Sequence, residues 1–127
     1  MEVRDWEKSV KNYKELEVWQ KGVDLTVEVY QMTRTFPPEE KFGLISQIQR
    51  AATSIPANIA EGWGRGSTKE YVQFLRVARA SLMELETHLI LAKRLSYIQG
   101  DRLGMLQQEV ETLGKRINSL IQSLLRK

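Results

Sequence analysis

Histidine is the side chain on which most hydrolytic triads depend, and this 127-residue sequence contains one, His88. A Ser-His-Asp arrangement would therefore have to be built around that single imidazole. His88 stands beside Leu89 in a helical pattern, so a place on the surface or at a helix cap is the simpler interpretation. The sequence predicts no catalytic residue and a protein that is not an enzyme.

The sequence also lacks the usual patterns of metal and cofactor sites. It has no cysteine, which excludes disulfides and thiolate metal sites and is consistent with a reducing cytosol. Neighbouring acids such as Glu84 and Glu86 fall on different sides of a helix, and no Glu-x-x-His pair is present for a metal-binding bundle core. We expect neither a metal nor a cofactor.

The glycine-rich run GWGRG at residues 62–66 superficially looks like a phosphate loop. Such loops follow a strand and end in Gly-Lys-Ser/Thr, whereas this run follows a predicted helix and has no such ending. We expect it to end that helix with left-handed residues and to turn the chain. Ser67 and Glu70 then match a capping box at the next helix. That helix start could attract an anion beside Arg65 and Lys69.

Clustered basic residues are the one positive functional signal. The net charge is only +3, but residues 1–40 hold six basic and nine acidic groups, and residues 41–94 hold eight and four. The candidate nucleic-acid-binding residues lie on one flank of the predicted third helix or just before it: Arg65, Lys69, Arg76, Arg79, Lys93 and Arg94. Such a flank could follow a phosphate backbone. The alternative is a solvated face with ion pairs to Glu61 or Glu84.

Four helices are predicted to position these residues, because apolar residues recur at helical spacing. The expected spans are 14–35, 39–62, 67–97 and, after Gly100 and Asp101, the rest of the chain. Pro37 and Pro38 should end the first helix. Pro56 lies inside the second, where we expect a kink.

Each of the last three predicted helices has one apolar face. The expected core residues are Leu44, Ile48, Ala51, Ala52, Ile55, Ile59 and Trp63, then Tyr71, Phe74, Leu75, Ala78, Leu82, Leu85 and Leu89, and finally Leu103, Leu106, Val110, Leu113, Ile117, Leu120 and Leu124. Short connections and no strand signal predict an all-α, antiparallel up-down-up-down four-helix bundle. Residues 1–127 should form a single domain, with residues 1–12 as a loose N-terminal arm.

The first predicted helix has two apolar stripes on roughly opposite faces. They are Leu16, Trp19, Val23, Val27 and Tyr30, and Val18, Leu25, Val29 and Met32. A surface helix needs one stripe, so the other meets either a bundle neighbour or a subunit. Val72, Met83 and Ile90 of the predicted third helix add apolar surface that is interleaved with Arg76 and Arg79. One bundle has too few inner faces for all of these residues, which predicts a closed homo-oligomer.

A polar stripe runs beside the core of the predicted second helix, through Gln47, Arg50, Ser54, Asn58 and Glu61. One interpretation is a binding groove. The other is that these groups satisfy one another and the Ala52 carbonyl, which Pro56 leaves without its helical donor.

One run of sequence is specific enough to indicate a family. SIPANIAEGWGRGS at residues 54–67, with QIQRAAT before it and YVQFLRVARASLMELETHLILAKRLSYI after it, resembles the four-helix-bundle proteins found in intervening sequences of bacterial large-subunit ribosomal RNA genes. These are relatives of the accessory proteins of diversity-generating retroelements. KELEVWQKGVDL and TFPPEEKFGLISQI agree in order and spacing. Ala80 departs from the family, which usually has glycine there, and its methyl group would hold a neighbouring helix further off.

The resemblance implies a non-enzymatic scaffold. The retroelement relatives are basic pentameric barrels that bind nucleic acid and a reverse transcriptase, and the ribosomal members are thought to act on RNA. We therefore expect a homo-oligomer, a pentamer by the resemblance, that binds structured RNA electrostatically through the basic flank of the third helix. A protein-interaction scaffold that recruits a partner such as a reverse transcriptase, and a purely structural bundle, are the alternatives.

The sequence also bears on location. No apolar run reaches the ~18 residues that a membrane span needs. The first ten residues carry charges where a secretory signal would need an apolar centre. We expect a cytoplasmic protein without membrane contact.

Overall fold

The computed structural model describes residues 11–126, in which four α-helices are joined by short connections. The helices are α1 (Glu17–Thr33), α2 (Leu44–Gly64), α3 (Thr68–Arg94) and α4 (Gly100–Leu125). Short 3₁₀ turns form at Tyr13–Glu15 and Pro38–Glu40. Residues 11–126 contain no strand, which confirms the all-α prediction with four helices. Of the predicted N-terminal arm, residues 1–10 lie outside the described part. None of the described helices is both long and apolar enough to cross a membrane.

The second helix begins later than predicted. Pro38–Glu40 forms its own 3₁₀ turn, and α2 starts at Leu44, not near Glu39. The Leu44 N–H donates to Glu40 Oε1 at 3.2 Å, so the acid of the preceding turn satisfies one of the free amides at the helix start. The side chain of Tyr97 donates to the other oxygen of Glu40 at 2.8 Å, which ties this turn to the connection between α3 and α4.

The turn between the last two helices also differs from the prediction. The third helix ends at Arg94, and Ser96 takes a left-handed conformation with φ of 66°. A residue in that conformation cannot continue a right-handed helix, so the chain turns at Ser96. Gly100, which was expected to stand in the break, is the first residue of α4.

The glycine run at residues 62–66 ends α2 two residues later than expected, and only its last member has positive φ. Gly66 has φ of 79° and makes the turn into α3. Gly62 is buried inside α2, where an added Cβ would lie 2.7 Å from the Phe74 Cβ. Gly62 therefore permits the close approach of α2 to α3, which is a packing role and not a left-handed one.

Neighbouring helices are identified by the close approach of their Cα atoms. α1 and α3 each pack against α2 and α4, whereas no Cα atom of α1 lies within 8 Å of a Cα atom of α3. Helices α1 and α3 therefore occupy opposite corners of the bundle. The outward surfaces of these two helices point in different directions.

The predicted core faces of α2, α3 and α4 are buried, apart from four residues that are half-buried: Trp63, Phe74, Leu103 and Leu120. On α1 the stripe of Val18, Leu25, Val29 and Met32 enters the core. Val27 and Tyr30 of the other stripe stay exposed. Val72 was expected on an outer flank, but it is 3% exposed and belongs to the core.

α2 continues through Pro56 without a break. Because proline has no N–H, the Ala52 carbonyl loses its helical donor. The Thr26 hydroxyl of α1 lies 3.1 Å from that carbonyl oxygen and 2.8 Å from the Gly22 carbonyl oxygen, and it shares its hydrogen between them. In one of the two interpretations the polar stripe of α2 satisfies this carbonyl, but the donor comes from α1. The kink at Pro56 stays a prediction.

Candidate nucleic-acid interface

Five of the six predicted binding residues lie on α3, and Arg65 caps the end of α2. The start of α3 is well defined, because Ser67 Oγ accepts the Glu70 N–H at 3.1 Å. This cap places Lys69 in the first turn, where the positive end of the helix dipole adds to its charge.

Four of the predicted residues lie together at the start of α3, and we call them the basic half: Arg65, Lys69, Arg76 and Arg79. Lys69 and Arg76 are both exposed and are seven residues apart. Two helical turns therefore separate them by about 10 Å on the same face. Arg79 turns towards α4, where its guanidinium donates to Asn118 Oδ1.

Arg65 has contacts of its own. Its Nε lies 3.9 Å from Glu61 Oε2, and its guanidinium carbon lies 5.0 Å from the centre of the Phe74 ring. The ion pair expected with Glu61 is therefore present. Both of its side chains are about half exposed, so this pair contributes little and leaves the arginine accessible. Glu84, the other expected acid, lies 3.7 Å from His88, and no arginine of residues 11–126 lies within 4 Å of it.

Lys93 and Arg94 do not join the basic half. They lie at the far end of α3, and the fourteen residues between Arg79 and Lys93 correspond to about 21 Å along the helix. The Lys93 side chain also packs against the start of α4, where its Cε would be 3.2 Å from a Cβ added at Gly100. The six predicted residues thus form two separate groups.

Apolar residues occupy the surface between these two groups. Met83 is 60% exposed, Ile90 38% and Leu91 46%. We call these three residues the apolar half of α3. Ala80, at its edge, is exposed, so its methyl group displaces no helix of the same chain.

The exposed cations of α3 differ in their pairing from two cations of α4, Lys115 and Arg116. Among the described residues, no carboxylate lies within 4 Å of Lys69, Arg76, Lys93 or Arg94. On α4, by contrast, Arg116 pairs with Glu17 and Lys115 pairs with Glu111 at 3.2 Å. The positive charge of α3 is therefore not neutralised by a described acid and is open to an anionic partner.

His88 is only partly exposed and is not at a cap, so the sequence-based interpretation of a surface or cap position holds only in part. Only 17% of its side chain is exposed, and α3 continues six residues beyond it. It lies seven residues after Ser81, and therefore on the same face, and Ser81 bonds to α2. His88 is thus turned towards α2. No group of three possible metal ligands occurs in the described part of the chain.

Two members of the polar stripe of α2 form hydrogen bonds at the contact with α3. The Ser54 and Ser81 hydroxyls lie 2.8 Å apart between α2 and α3, and Asn58 donates to Ser54 Oγ at 2.9 Å and to its carbonyl at 2.7 Å. Ser54 and Asn58 therefore satisfy each other, together with Ser81, which is the part of the second interpretation that the structure shows. Gln47, Arg50 and Glu61 are exposed, and Glu61 pairs with Arg65 rather than with the stripe.

A groove that sequence reasoning missed opens between α1 and α4, with a volume of about 440 Å³. Its lining residues are Lys21, Asp24, Leu25, Glu28, Met105, Gln108, Glu109, Thr112 and Leu113. Partial burial, and then the Glu28 carboxyl, raise the pKa of Glu109 to about 7. No sequence signal connects Glu28 with Glu109, because they are 81 residues apart. The groove has an acidic rim, which is a poor match for a phosphate backbone.

Residues 14–119 match the model of a family described as 23S rRNA-intervening sequence protein. The fold is similar to a crystal structure from Bacteroides thetaiotaomicron VPI-5482, described as a protein with unknown function from the S23 ribosomal protein family. The two chains are 25% identical with a TM-score of 0.76, and the match covers 83% of this chain and 95% of the other. No curated protein matches the sequence.

Proposed function

The chain belongs to the family of 23S rRNA-intervening sequence proteins, and from that membership we propose that it is a non-enzymatic scaffold for structured RNA. RNA binds electrostatically at the basic half of α3. One observation carries this proposal: Lys69 and Arg76 share an exposed face and have no carboxylate partner among the described residues.

The chemistry of this face suits phosphate. An arginine guanidinium donates two parallel hydrogen bonds to phosphate oxygens, and Lys69 adds a point charge at the positive end of the helix dipole. The exposed face between Lys69 and Arg76 carries no aromatic side chain on which a base could stack. We therefore expect recognition of the RNA backbone and shape, with little preference for base sequence.

We propose that the working form is a closed homo-oligomer in the cytoplasm, and by the resemblance a pentamer. One chain has a net charge of +3, so five copies carry roughly +15 in one body. Repeated weak contacts on one assembly raise the overall affinity through effective concentration. No cofactor takes part in this function.

A binding titration tests the proposal. Fluorescence anisotropy with a labelled RNA hairpin, at about 50 and 200 mM salt, should show tight binding that weakens steeply as salt rises. The variant Lys69→Glu with Arg76→Glu should lose binding. The matched control is Lys115→Glu with Arg126→Glu, which makes the same charge change on an exposed residue of α4 and on the exposed residue that follows it. This control should retain most of the RNA binding.

A protein-interaction scaffold is the second candidate, and the exposed apolar half of α3 favours it. Its partner would be a protein such as a reverse transcriptase. Wild-type protein that stays unbound to RNA at low salt would support this second function. The same conclusion would follow if the Lys69 and Arg76 variant bound RNA as well as the wild type.

A further inference from the structure

Phe42 is the most exposed large apolar side chain of residues 11–126, at 90%. It lies in the connection between α1 and α2, one residue before Gly43, the N-cap of α2. Neither the core nor the basic half of α3 uses this ring. An aromatic ring that stands in water gains free energy when a partner covers it.

Hydrogen bonds on both sides hold Phe42 in place. The N–H groups of its two neighbours, Lys41 and Gly43, donate to carbonyls of the preceding 3₁₀ turn at 3.1 and 3.0 Å. Glu40, the last residue of that turn, accepts the Tyr97 hydroxyl at 2.8 Å. The backbone that carries the ring is therefore ordered before a partner arrives, so binding costs little backbone entropy.

The turn that carries this ring lies beside the connection from α3 to α4, at one end of the bundle. The hydrogen bond between Glu40 and Tyr97 joins residues 34–43 to residues 93–102, and we call these two segments together the loop end. They contain five basic and three acidic residues, which is a net charge of +2. Of the acids, Glu40 is engaged in this bond, and Asp101 accepts a backbone N–H at the start of α4.

Three cations of the loop end are available to an anion. Lys41 Nζ lies 5.5 Å from the centre of the Phe42 ring. No carboxylate of the described residues lies within 4 Å of Lys41, Lys93 or Arg94. An open aromatic ring and unneutralised positive charge therefore occur together.

The surroundings of the ring favour a nucleotide over a protein as the occupant. Leu95, 46% exposed, is the other exposed large apolar residue of the loop end, and most of the remaining exposed residues there are polar or charged. A specific protein interface buries about 800 Å² of each partner around an apolar centre. A single ring among cations instead matches one nucleotide, because bases stack on aromatic rings and phosphate oxygens accept from Lys and Arg.

We propose that an unpaired nucleotide of RNA binds at the loop end, where its base stacks on Phe42 and the neighbouring phosphates meet Lys41 and Arg94. This inference rests on the proposed function, which supplies RNA as the partner, and it adds a contact of a different kind. Arg94 lies twenty-five residues after Lys69, about 38 Å along α3, so the loop end is separate from the basic half. A structured RNA offers both contacts, because its loops and bulges leave bases unstacked beside a paired stem.

Anisotropy titrations with two labelled RNAs test the inference. One is a single strand of about six nucleotides, and the other is a blunt duplex without unpaired residues. Phe42→Ala should weaken binding of the single strand about 5- to 100-fold, which is the loss expected for one stacked base. Phe42→Leu keeps an apolar side chain without a ring and should weaken binding similarly, whereas Phe42→Tyr should retain it. A 2-aminopurine in the strand should lose fluorescence on binding to wild type, because stacking quenches it.

The matched control is Met105→Ala, which removes an apolar side chain that is 63% exposed and lines the groove between α1 and α4. It should leave the affinity for both RNAs unchanged. The affinity for the duplex should also be the same for wild type and for all three Phe42 variants, because the duplex has no unpaired base to stack.

A Phe42→Leu protein that binds the single strand as tightly as wild type would overturn the inference, since apolar contact alone would then suffice. So would a Phe42→Ala protein whose assembly in native mass spectrometry differs from that of wild type, because the ring would then meet a second copy. Duplex binding without single-strand binding would overturn this inference and leave the proposed function standing. If wild type binds neither RNA, both fail.

Discussion

The Thr26 hydroxyl oxygen and the Ala52 carbonyl oxygen lie 3.1 Å apart, although they belong to different helices. The contact replaces the hydrogen bond that Pro56 removes from α2. It therefore allows a proline inside a helix whose Ala52 and Ile55 are fully buried. Gly22 faces the same turn, where a Cβ would lie 3.4 Å from the Pro56 ring. The proline is thus accommodated jointly by α1 and α2.

Thr26→Val should destabilise the protein by about 1 to 3 kcal/mol, because it leaves the buried Ala52 carbonyl without a donor. Thr53→Val is the matched control. The Thr53 hydroxyl bonds only carbonyls of its own helix and is exposed, so its replacement should cost less than ~0.5 kcal/mol. Urea unfolding measures both free energies. Equal losses in the two variants would contradict the role given to Thr26.

Gly62→Ala should cost about 1 to 3 kcal/mol, because the new methyl group would meet the Phe74 Cβ at 2.7 Å and push α3 away from α2. Gly64→Ala adds the same methyl group two residues later, where nothing lies within 4 Å. It should be neutral or stabilise by up to ~1 kcal/mol. Thermal unfolding measures the stability of both variants. A Gly62→Ala protein that is as stable as wild type would contradict the close approach of α2 to α3.

Truncation to alanine should distinguish the buried face of α3 from its exposed face by the loss of stability. Leu82→Ala, at a residue 2% exposed, should cost about 2 to 5 kcal/mol, and Ile59→Ala on α2 should cost a similar amount. Met83→Ala, at the neighbouring exposed position, should have little effect on a dilute, monomeric sample. Chemical denaturation gives the values. Losses below ~1 kcal/mol at both buried sites would be incompatible with the described core.

The Glu109 carboxyl should make stability depend on pH. Its pKa is raised to about 7 by partial burial and by Glu28, with Asp24 adding to the rise and Arg102 opposing it. A raised carboxyl pKa stabilises the folded state at low pH, and this contribution is lost as pH rises from about 4.5 through 7. The stability of Glu109→Gln relative to wild type should therefore be greater at pH 8 than at pH 5. An identical pH profile for the two proteins argues against the raised pKa.

The salt dependence of RNA affinity should reflect the number of phosphate contacts that α3 makes. Removal of one contact by Arg76→Gln should reduce the slope of log affinity against log salt by about 0.7 to 0.9. Lys115→Gln, which removes a cation already paired with Glu111, should leave the slope nearly unchanged. Anisotropy titrations at four salt concentrations give both slopes. A reduced slope for Lys115→Gln but not for Arg76→Gln would place the RNA elsewhere.

Much of the fold follows from apolar spacing. Residues that recur every three or four positions share one face of a helix, so the cores of α2, α3 and α4 could be listed from the sequence. The ends were harder to predict, since they depend on local contacts such as the Glu40 carboxylate at Leu44 and the left-handed Ser96. These contacts have only weak sequence signals.

The candidate site was predictable in its residue types but not in its grouping. Helical spacing alone placed Lys69 and Arg76 on one face. It did not reveal that Arg79 turns to Asn118, or that Lys93 packs against the start of α4. The groove of Glu28 and Glu109 was also invisible, because its two walls are far apart in the sequence.

The sequence by itself determined the all-α class, the number of helices and the family. Only the tertiary structure decided which stripe of α1 enters the core, that Val72 is buried, and that Thr26 serves the carbonyl opposite Pro56. The physical reason is that periodicity relates residues within one helix. Which face of that helix meets another is decided by packing between segments that are distant along the chain.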